Sequence, residues 1–312
     1  MSLGGLTTPA QKDEHNTLIL SVYYSMRILL LGANGQLARD LAPVLPGNVI
    51  AFTRAELDLA QTETISLKIA EVKPDVVVNC AAYNLVDQAE ADTDAAFRTN
   101  SWGVRELAKS CREHDIRLVQ VSTDYVFGLD RELQQPLRET DPAGPVSVYG
   151  TSKLNGEYFV RAICPKHLVI RTCGLYGVWG SGGKGGNFIE TMLRVAGMGK
   201  PLRVVADQHC TPTATHDLAR GIVALIQSDA NGLFHLTNAG QTTWHDLAAE
   251  AFKLAGIIAD LTPITTEQFG AKADRPRYSV LNCEKAAQFG ATLRPWQEAI
   301  AGYLEERKKK VV

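Results

Sequence analysis

The 312-residue chain lacks an excess of charge of either sign: 32 lysines and arginines stand against 34 aspartates and glutamates, a formal net charge of −2. A chain so close to neutral has no bulk attraction to nucleic acid or to an anionic membrane surface. It also lacks any apolar run near the roughly 20 residues needed to span a bilayer. The six cysteines (Cys80, Cys111, Cys164, Cys173, Cys210, Cys283) include no close pair at metal-ligand spacing. Most lie inside apolar runs, where a reduced thiol behaves as a small core residue. The seven histidines form no HExxH pattern, and no internal repeat appears. Nucleic acid, membrane, metal and a disulfide framework are therefore all unexpected, and a small-molecule ligand is the default partner.

What is present is ordinary for a globular protein, with 45% hydrophobic and 21% charged residues. The length suits two domain-sized units, or one domain with a substantial lobe. Residues 1–25 precede a second methionine, Met26, at which the first strong strand begins. Their "LILSVYY" is too short for a secretory apolar region and lacks a basic flank. This segment is read as a disordered leader or extension, and a cytoplasmic location is expected.

From Met26 short apolar runs alternate with helical spacing. "RILLLG" (27–32), "NVIAF" (48–52), "DVVVNCA" (75–81), "RLVQVST" (117–123) and "HLVIRT" (167–172) read as strands. Helices are expected over 36–45, 62–72, 93–114 and 149–163. Continuous apolar strands alternating with helices predict a parallel sheet covered on both faces. The right-handed crossover rule makes it α/β and doubly wound, of Rossmann type. Residues 26–172 are assigned to this dinucleotide-binding domain. Residues 173–312 are assigned mainly to a smaller substrate-binding lobe, with "LFHLT" (233–237) returning to the sheet. The glycine-rich stretch 177–188 is a candidate lid, and "ERKKK" (306–310) is read as a solvated helix end.

Between the first strand and first helix lies Gly32-Ala33-Asn34-Gly35-Gln36-Leu37-Ala38. Gly32 permits a tight turn, Gly35 lets backbone approach a pyrophosphate, and the helix start offers free N–H groups. Asn34, Gln36 and Leu37 complete this cofactor cradle. The second strand ends in "FTRAELDL", which places Arg54 where the adenosine ribose is discriminated. A cation there suits a 2′-phosphate, favouring NADP over NAD. Asp58 and Leu59 follow near the adenine.

Tyr149 and Lys153, four apart at a helix start, share one face. An ammonium beside a phenol is expected to lower the tyrosine pKa from about 10 towards the working range. Such a tyrosine delivers a proton to a carbonyl oxygen as hydride reaches carbon. Ser122 and Thr123 end the fourth strand at the edge where open α/β sheets bind ligands, and a hydroxyl there polarises a carbonyl.

In these motifs the chain resembles the extended short-chain dehydrogenases, and among them the dTDP-4-dehydrorhamnose reductase group. The resemblance rests on "GANGQLA", "NCAAYNLVDQAE", "STDYVF", "YGTSKLNGE", "VVADQHCTPT" and "RPRYSVL", spanning residue 27 to about 282. It implies Tyr149 as proton donor, Lys153 as its partner and a holder of the cofactor ribose, and Thr123 as third catalytic residue. It implies Ala81, Ala82 and Tyr83 beside the nicotinamide cofactor, and Asn100 in support of the lysine region and the cofactor. Asn84, Val86, Asp124 and Tyr125 would face the sugar of a nucleotide-sugar substrate. Relatives often pair, which makes a homodimer the expected assembly.

The sequence departs from the group at Ala38 (usually glycine), Asn84 (usually threonine) and Cys173-Gly174 (usually Ser-Trp). That tryptophan packs near the sugar, and Trp179 is the candidate to replace it. A 4,6-dehydratase of the same family needs an Asp-Glu pair after the threonine, whereas Asp124 is followed by Tyr125. A 4-epimerase and a non-catalytic regulatory relative remain as the other readings.

Overall fold

The computed structural model describes residues 26–180 and 186–311. The leader at 1–25 and the middle of the glycine-rich stretch lie outside the described residues. The strands in chain order are β1 Arg27–Leu31, β2 Asn48–Phe52, β3 Val76–Asn79, β4 Arg117–Thr123, β5 His167–Thr172, β6 Leu202–Val205, β7 His209–Cys210, β8 Gly232–His235, β9 Thr242–Thr243 and β10 Leu261–Ile264. The principal helices are α1 Gln36–Leu41, α2 Thr62–Val72, α3 Gly103–Glu113, α4 Val148–Ile163, α5 Phe188–Gly197, α6 Thr215–Ile226, α7 Trp244–Ala255 and α8 Trp296–Val311. No helix among the described residues is long and apolar enough to cross a membrane.

Six strands form one sheet in the order β2-β1-β3-β4-β5-β8, and every neighbouring pair is parallel. The period of two along each strand sorts side chains to two cores. Ile28, Leu30, Val76 and Val78 pack with α1 and α6 on one face. Leu29, Leu31 and Val77 pack with α2, α3 and Val160 of α4 on the other. Both faces are thus dry, which is why these strands read as unbroken apolar runs. The doubly wound fold expected from the sequence is the one observed.

The strand order reverses between β1 and β3, and in such sheets ligands bind beyond the carboxyl ends at the reversal. A third core, with Ile189, Leu193, Leu247, Phe252, Ile300 and Tyr303, joins α5, α7 and α8 into a lobe over that edge. The strands β6 and β10 pair in parallel beside it.

Two helices differ from expectation. The first stops at Leu41 rather than reaching residue 45, because Pro43 has no N–H to return to the Arg39 carbonyl. The stretch 93–114 is helical, but it widens into a π segment at Arg98–Trp102 before α3. Gly103, at the end of that segment, lies so close that a Cβ would overlap the Leu59 carbonyl.

Candidate active site

A cavity of about 1200 Å³ opens along the carboxyl ends of β1 to β5 and runs under the lobe. That exceeds the usual pocket for one small ligand and leaves room for two.

At its β1 end the chain doubles back tightly. Gly32 has φ +79°, and a Cβ there would stand 2.8 Å from the Ala81 nitrogen. Only glycine allows both the left-handed backbone and this approach of two segments. The amides of Gly32 and Ala33 both donate to the Phe52 carbonyl at 3.0 Å, locking the turn to β2. Gly35 then enters α1 in an extended conformation. Gln36 donates its side-chain amide to the Leu175 carbonyl at 3.0 Å, while its Oε1 is buried with no partner. This glycine cradle at the start of a helix offers free N–H donors and fits a dinucleotide pyrophosphate, while the Gln36 Oε1 is left to accept from a donor such as a ribose hydroxyl.

Asn34 and Leu37 line the same wall, as do Arg54, Asp58 and Leu59 farther out. Arg54 is 81% exposed at the rim, its Nε donating to Asp58 at 2.9 Å. Asp58 is therefore engaged with the cation rather than with a ribose.

The central section carries the reactive groups. Ser147 caps α4 by accepting the Gly150 N–H at 3.1 Å, which sets the register of Tyr149 and Lys153 in the first turns. A Cβ at Gly150 would overlap the Tyr125 carbonyl, so glycine lets α4 lie directly on the turn after β4. The Tyr149 phenol shares a hydrogen bond with the Thr123 hydroxyl. Lys153 Nζ donates to the Val121 carbonyl at 2.7 Å.

The expected depression of the tyrosine is not what the structure shows. Burial pushes Tyr149 up to about 12, against the opposing effect of the Thr123 bond. Burial also draws Lys153 down to about 8, with the Glu157 carboxylate resisting. Both groups are desolvated together and the ammonium is turned to Val121, so the resting phenol keeps its proton.

Asp124 is buried beside Thr123. It accepts from Ser279 Oγ at 2.6 Å and from Thr123 Oγ1 at 3.1 Å, and burial raises its carboxyl above the usual range. Tyr125 meets Tyr149 edge to face, ring centres 5.8 Å apart. Asn84 and Val86 line the wall beside them with Ala81, Ala82 and Tyr83.

Two expectations are corrected. Asn100 is not on the cavity wall. It is 2% exposed, and it holds the Tyr83 N–H and C=O at 2.9 Å each and the Ser152 hydroxyl at 3.0 Å. Through these bonds it braces the Tyr83 segment on the cofactor side against the turn of α4 that precedes Lys153. Trp179 also lies elsewhere: its Nε1 donates to Asp40 at 2.8 Å, and its ring lies between Arg39 and Lys310. Lys310 is exposed at the end of α8, as expected of a solvated helix end, and its Nζ also donates to the Val178 carbonyl at 2.8 Å.

The indole that does line the cavity is Trp244, at the start of α7. Its tip fills the place of a residue-174 side chain, since a Cβ on Gly174 would meet it at 2.9 Å. Phe188 stacks against it with ring centres 4.9 Å apart. Met192, Arg203, Gln208 and Arg275 complete this end. Of these, Gln208 and Arg275 lay in motifs singled out in the sequence; nothing local marks Met192 or Arg203.

The sequence profile of the RmlD substrate binding domain family matches residues 26–309. The dTDP-4-dehydrorhamnose reductase of Streptomyces griseus is 39% identical over 292 residues, covering 90% of this chain and 94% of its own length. The dTDP-4-keto-6-deoxy-D-glucose reductase of Streptomyces niveus is 39% identical over 282 residues, covering 88% and 95%. The crystal structure of the dTDP-4-dehydrorhamnose reductase from Bacillus anthracis in complex with NADP superposes with a TM-score of 0.84 at 33% identity, covering 90% of this chain and 99% of that one.

Proposed function

Because the chain belongs to the RmlD substrate binding domain family, we propose that it reduces the 4-keto group of dTDP-4-dehydro-L-rhamnose to dTDP-L-rhamnose with NADPH. The observation that carries this reading is the meeting of Tyr149, Thr123 and Lys153 midway along one cavity, between a glycine cradle and an aromatic lobe. Residues 26–172 are assigned to the dinucleotide and residues 173–312 mainly to the nucleotide sugar.

Gly32, Asn34, Gly35, Gln36 and Leu37 would hold the pyrophosphate, with Arg54 at the 2′-phosphate and Asp58 and Leu59 near the adenine. Ala81, Ala82 and Tyr83 would flank the nicotinamide, which supplies the hydride when bound. Asn84, Val86, Asp124 and Tyr125 face the sugar. Tyr149, held at about 12, keeps its proton throughout the neutral range. It releases that proton to the carbonyl oxygen only as negative charge develops there. Thr123 shares the phenol oxygen and orients it. Lys153 remains an ammonium below about 8 and stabilises the phenolate left behind. Tyr125 stands where a dehydratase has its glutamate, so the site has no second carboxylate for elimination.

A second reading within the same chemistry is a different 4-keto sugar. It is favoured by Gly174, whose place at the wall is filled by Trp244 from another element. Purified protein should consume NADPH in step with dTDP-4-dehydro-L-rhamnose. No turnover on that sugar, with NAD retained through purification, would sink the reductase reading in favour of an epimerase. Turnover on another dTDP-4-keto sugar alone would correct the substrate.

The assembly we propose is a homodimer joined through the outer face of α3 and α4. Trp102, just before α3, and Tyr158 are 49% and 53% exposed there, and the Trp102 ring tilts against Phe159 with ring centres 5.5 Å apart. Sedimentation velocity reads it directly. The soluble, charged substrates of the proposed reaction support a cytoplasmic location.

A further inference from the structure

Beneath Tyr149 and Lys153 lies a set of buried charges that the proton chemistry does not use. Glu157, one turn beyond Lys153 on α4, is 1% exposed. Its carboxylate accepts from Ser122 Oγ at 2.5 Å, from Arg171 Nη2 at 2.7 Å and from Arg171 Nε at 3.0 Å. Arg171, on β5, is 2% exposed and reaches His235 of β8 at 3.4 Å. The other ring nitrogen of His235 lies 3.0 Å from the Leu137 carbonyl. Burial, reinforced by Arg171, drives His235 down to about 3, so the ring is neutral and the charges that remain are Lys153, Glu157 and Arg171.

Such a cluster is a poor device for stability. Removing two ions from water costs several kcal/mol each, and apolar side chains of the same volume often pack as well or better. Its position is what gives it a use. Ser122 is the neighbour of Thr123 at the end of β4, and Glu157 shares its helical face with Lys153 and Tyr149. One carboxylate thus touches both elements that carry the reactive groups.

The surroundings of Lys153 contain little else that favours its charge. From β3 it faces Cys80, a thiol pushed up to about 12 by burial and hence neutral. From β4 it faces the Val121 carbonyl. Asp124 acts on Tyr149 rather than on the lysine. Arg171 stands behind Glu157 and grips its carboxylate through Nη2 at 2.7 Å and Nε at 3.0 Å.

We propose that Glu157 is a positioning residue for the reduction: its carboxylate holds the Lys153 ammonium in its charged form from below and, through Ser122, fixes the strand end that presents Thr123. The proposal rests on the reading of Tyr149 and Lys153 as the proton-delivering pair.

Glu157→Gln keeps the shape and the Ser122 bond and removes the charge. In cofactor-free protein with labelled lysines, NMR titration should show one side chain titrating near 8, absent in Lys153→Met. In Glu157→Gln it should titrate about one pH unit lower. The alkaline limb of kcat should move with it, which lowers kcat roughly threefold at pH 7.5 and roughly ninefold at pH 9 while NADPH binding stays within about twofold. Glu157→Asp should restore the limb, and Ser122→Ala should lower kcat a few-fold, by about the loss of one hydrogen bond, without moving it. Should Glu157→Gln fail to fold because Arg171 is left unpaired, Glu157→Gln with Arg171→Gln removes both charges, and the limb should still move to lower pH because Glu157, one turn away on the same helical face, is the one of the two that acts on Lys153. An unmoved lysine titration and an unmoved limb overturn the proposal and leave the pair's role intact. A Lys153→Met variant as active as the wild type overturns that role and the proposal with it.

Discussion

The two ends of the cavity are built by different means. At the dinucleotide end the wall is backbone, supplied within a few residues of strand ends: Gly32 after β1, Ala81 after β3, Thr123 closing β4. Sheet register alone brings these together. At the lobe end the wall is side chain, contributed by Trp244, Phe188, Arg203 and Arg275 from four separate stretches of chain. A backbone cradle suits a group common to a whole class of cofactors. A side-chain wall can be altered one residue at a time, which suits selection among related sugars.

Tyr149 stands between the two, and its loss should have the largest effect. Tyr149→Phe is expected to lower kcat by about a thousandfold, within the range for removing a general acid. Both KM values should stay within about twofold, since the phenol's bond is to Thr123 and neither end of the cavity is disturbed. Steady-state kinetics checks this, and near-wild-type turnover would refute the proton-donor assignment.

The backbone end predicts the next effect. Gly32→Ala places a methyl 2.8 Å from the Ala81 nitrogen at φ +79°. It should cost about 1–3 kcal/mol of stability and weaken NADPH binding. In the lobe, Gly197 at the end of α5 has open space around its Cβ position. Gly197→Ala should be neutral or stabilising by up to about 1 kcal/mol. Paired thermal melts test the contrast; equal losses at both positions would erase it.

The same contrast explains what was legible in the sequence. The sheet strands were, because Ile28 to Leu31 and Val76 to Val78 are buried on both faces and leave unbroken apolar runs. The turn at Gly32 and the pair at Tyr149 and Lys153 were, because their spacing is local. The pKa of Tyr149 was not: spacing shows that a lysine is near, but only the fold shows how much water both groups lose. Nor was the reach of Trp244 to Gly174 across 70 positions, or the partner of Ser279: its motif stands out, but its bond to Asp124 spans 155. Trp179 was the natural guess on proximity in sequence, yet Asp40 and Lys310 draw it to the outer surface.

A smaller effect is expected where the lobe meets the sugar. Trp244→Ala should raise KM for the nucleotide sugar about tenfold, the typical worth of a packed aromatic contact. KM for NADPH should not move, because the indole sits at the lobe end of the cavity, against Gly174 and Phe188. Substrate titration followed by tryptophan fluorescence gives a second readout, since Trp244 is the indole on the cavity wall. Equal effects on both substrates would place the tryptophan in the scaffold rather than in sugar recognition.

The smallest effect belongs to Arg54, the exposed side chain at the backbone end that is proposed to discriminate between the cofactors. It is 81% exposed and already paired with Asp58 at 2.9 Å. Water screens its attraction for a 2′-phosphate, and the neighbouring carboxylate offsets part of it. Arg54→Ala should therefore raise KM for NADPH only about three- to tenfold and leave KM for NADH unchanged. Added salt should shrink the wild-type preference for NADPH towards that of the variant, because a screened, exposed contact weakens with ionic strength. A preference that survives both the substitution and high salt would mean that the cofactor's extra phosphate is read by the cradle itself, and the division between a common backbone end and a selective side-chain end would then hold for the cofactor without exception.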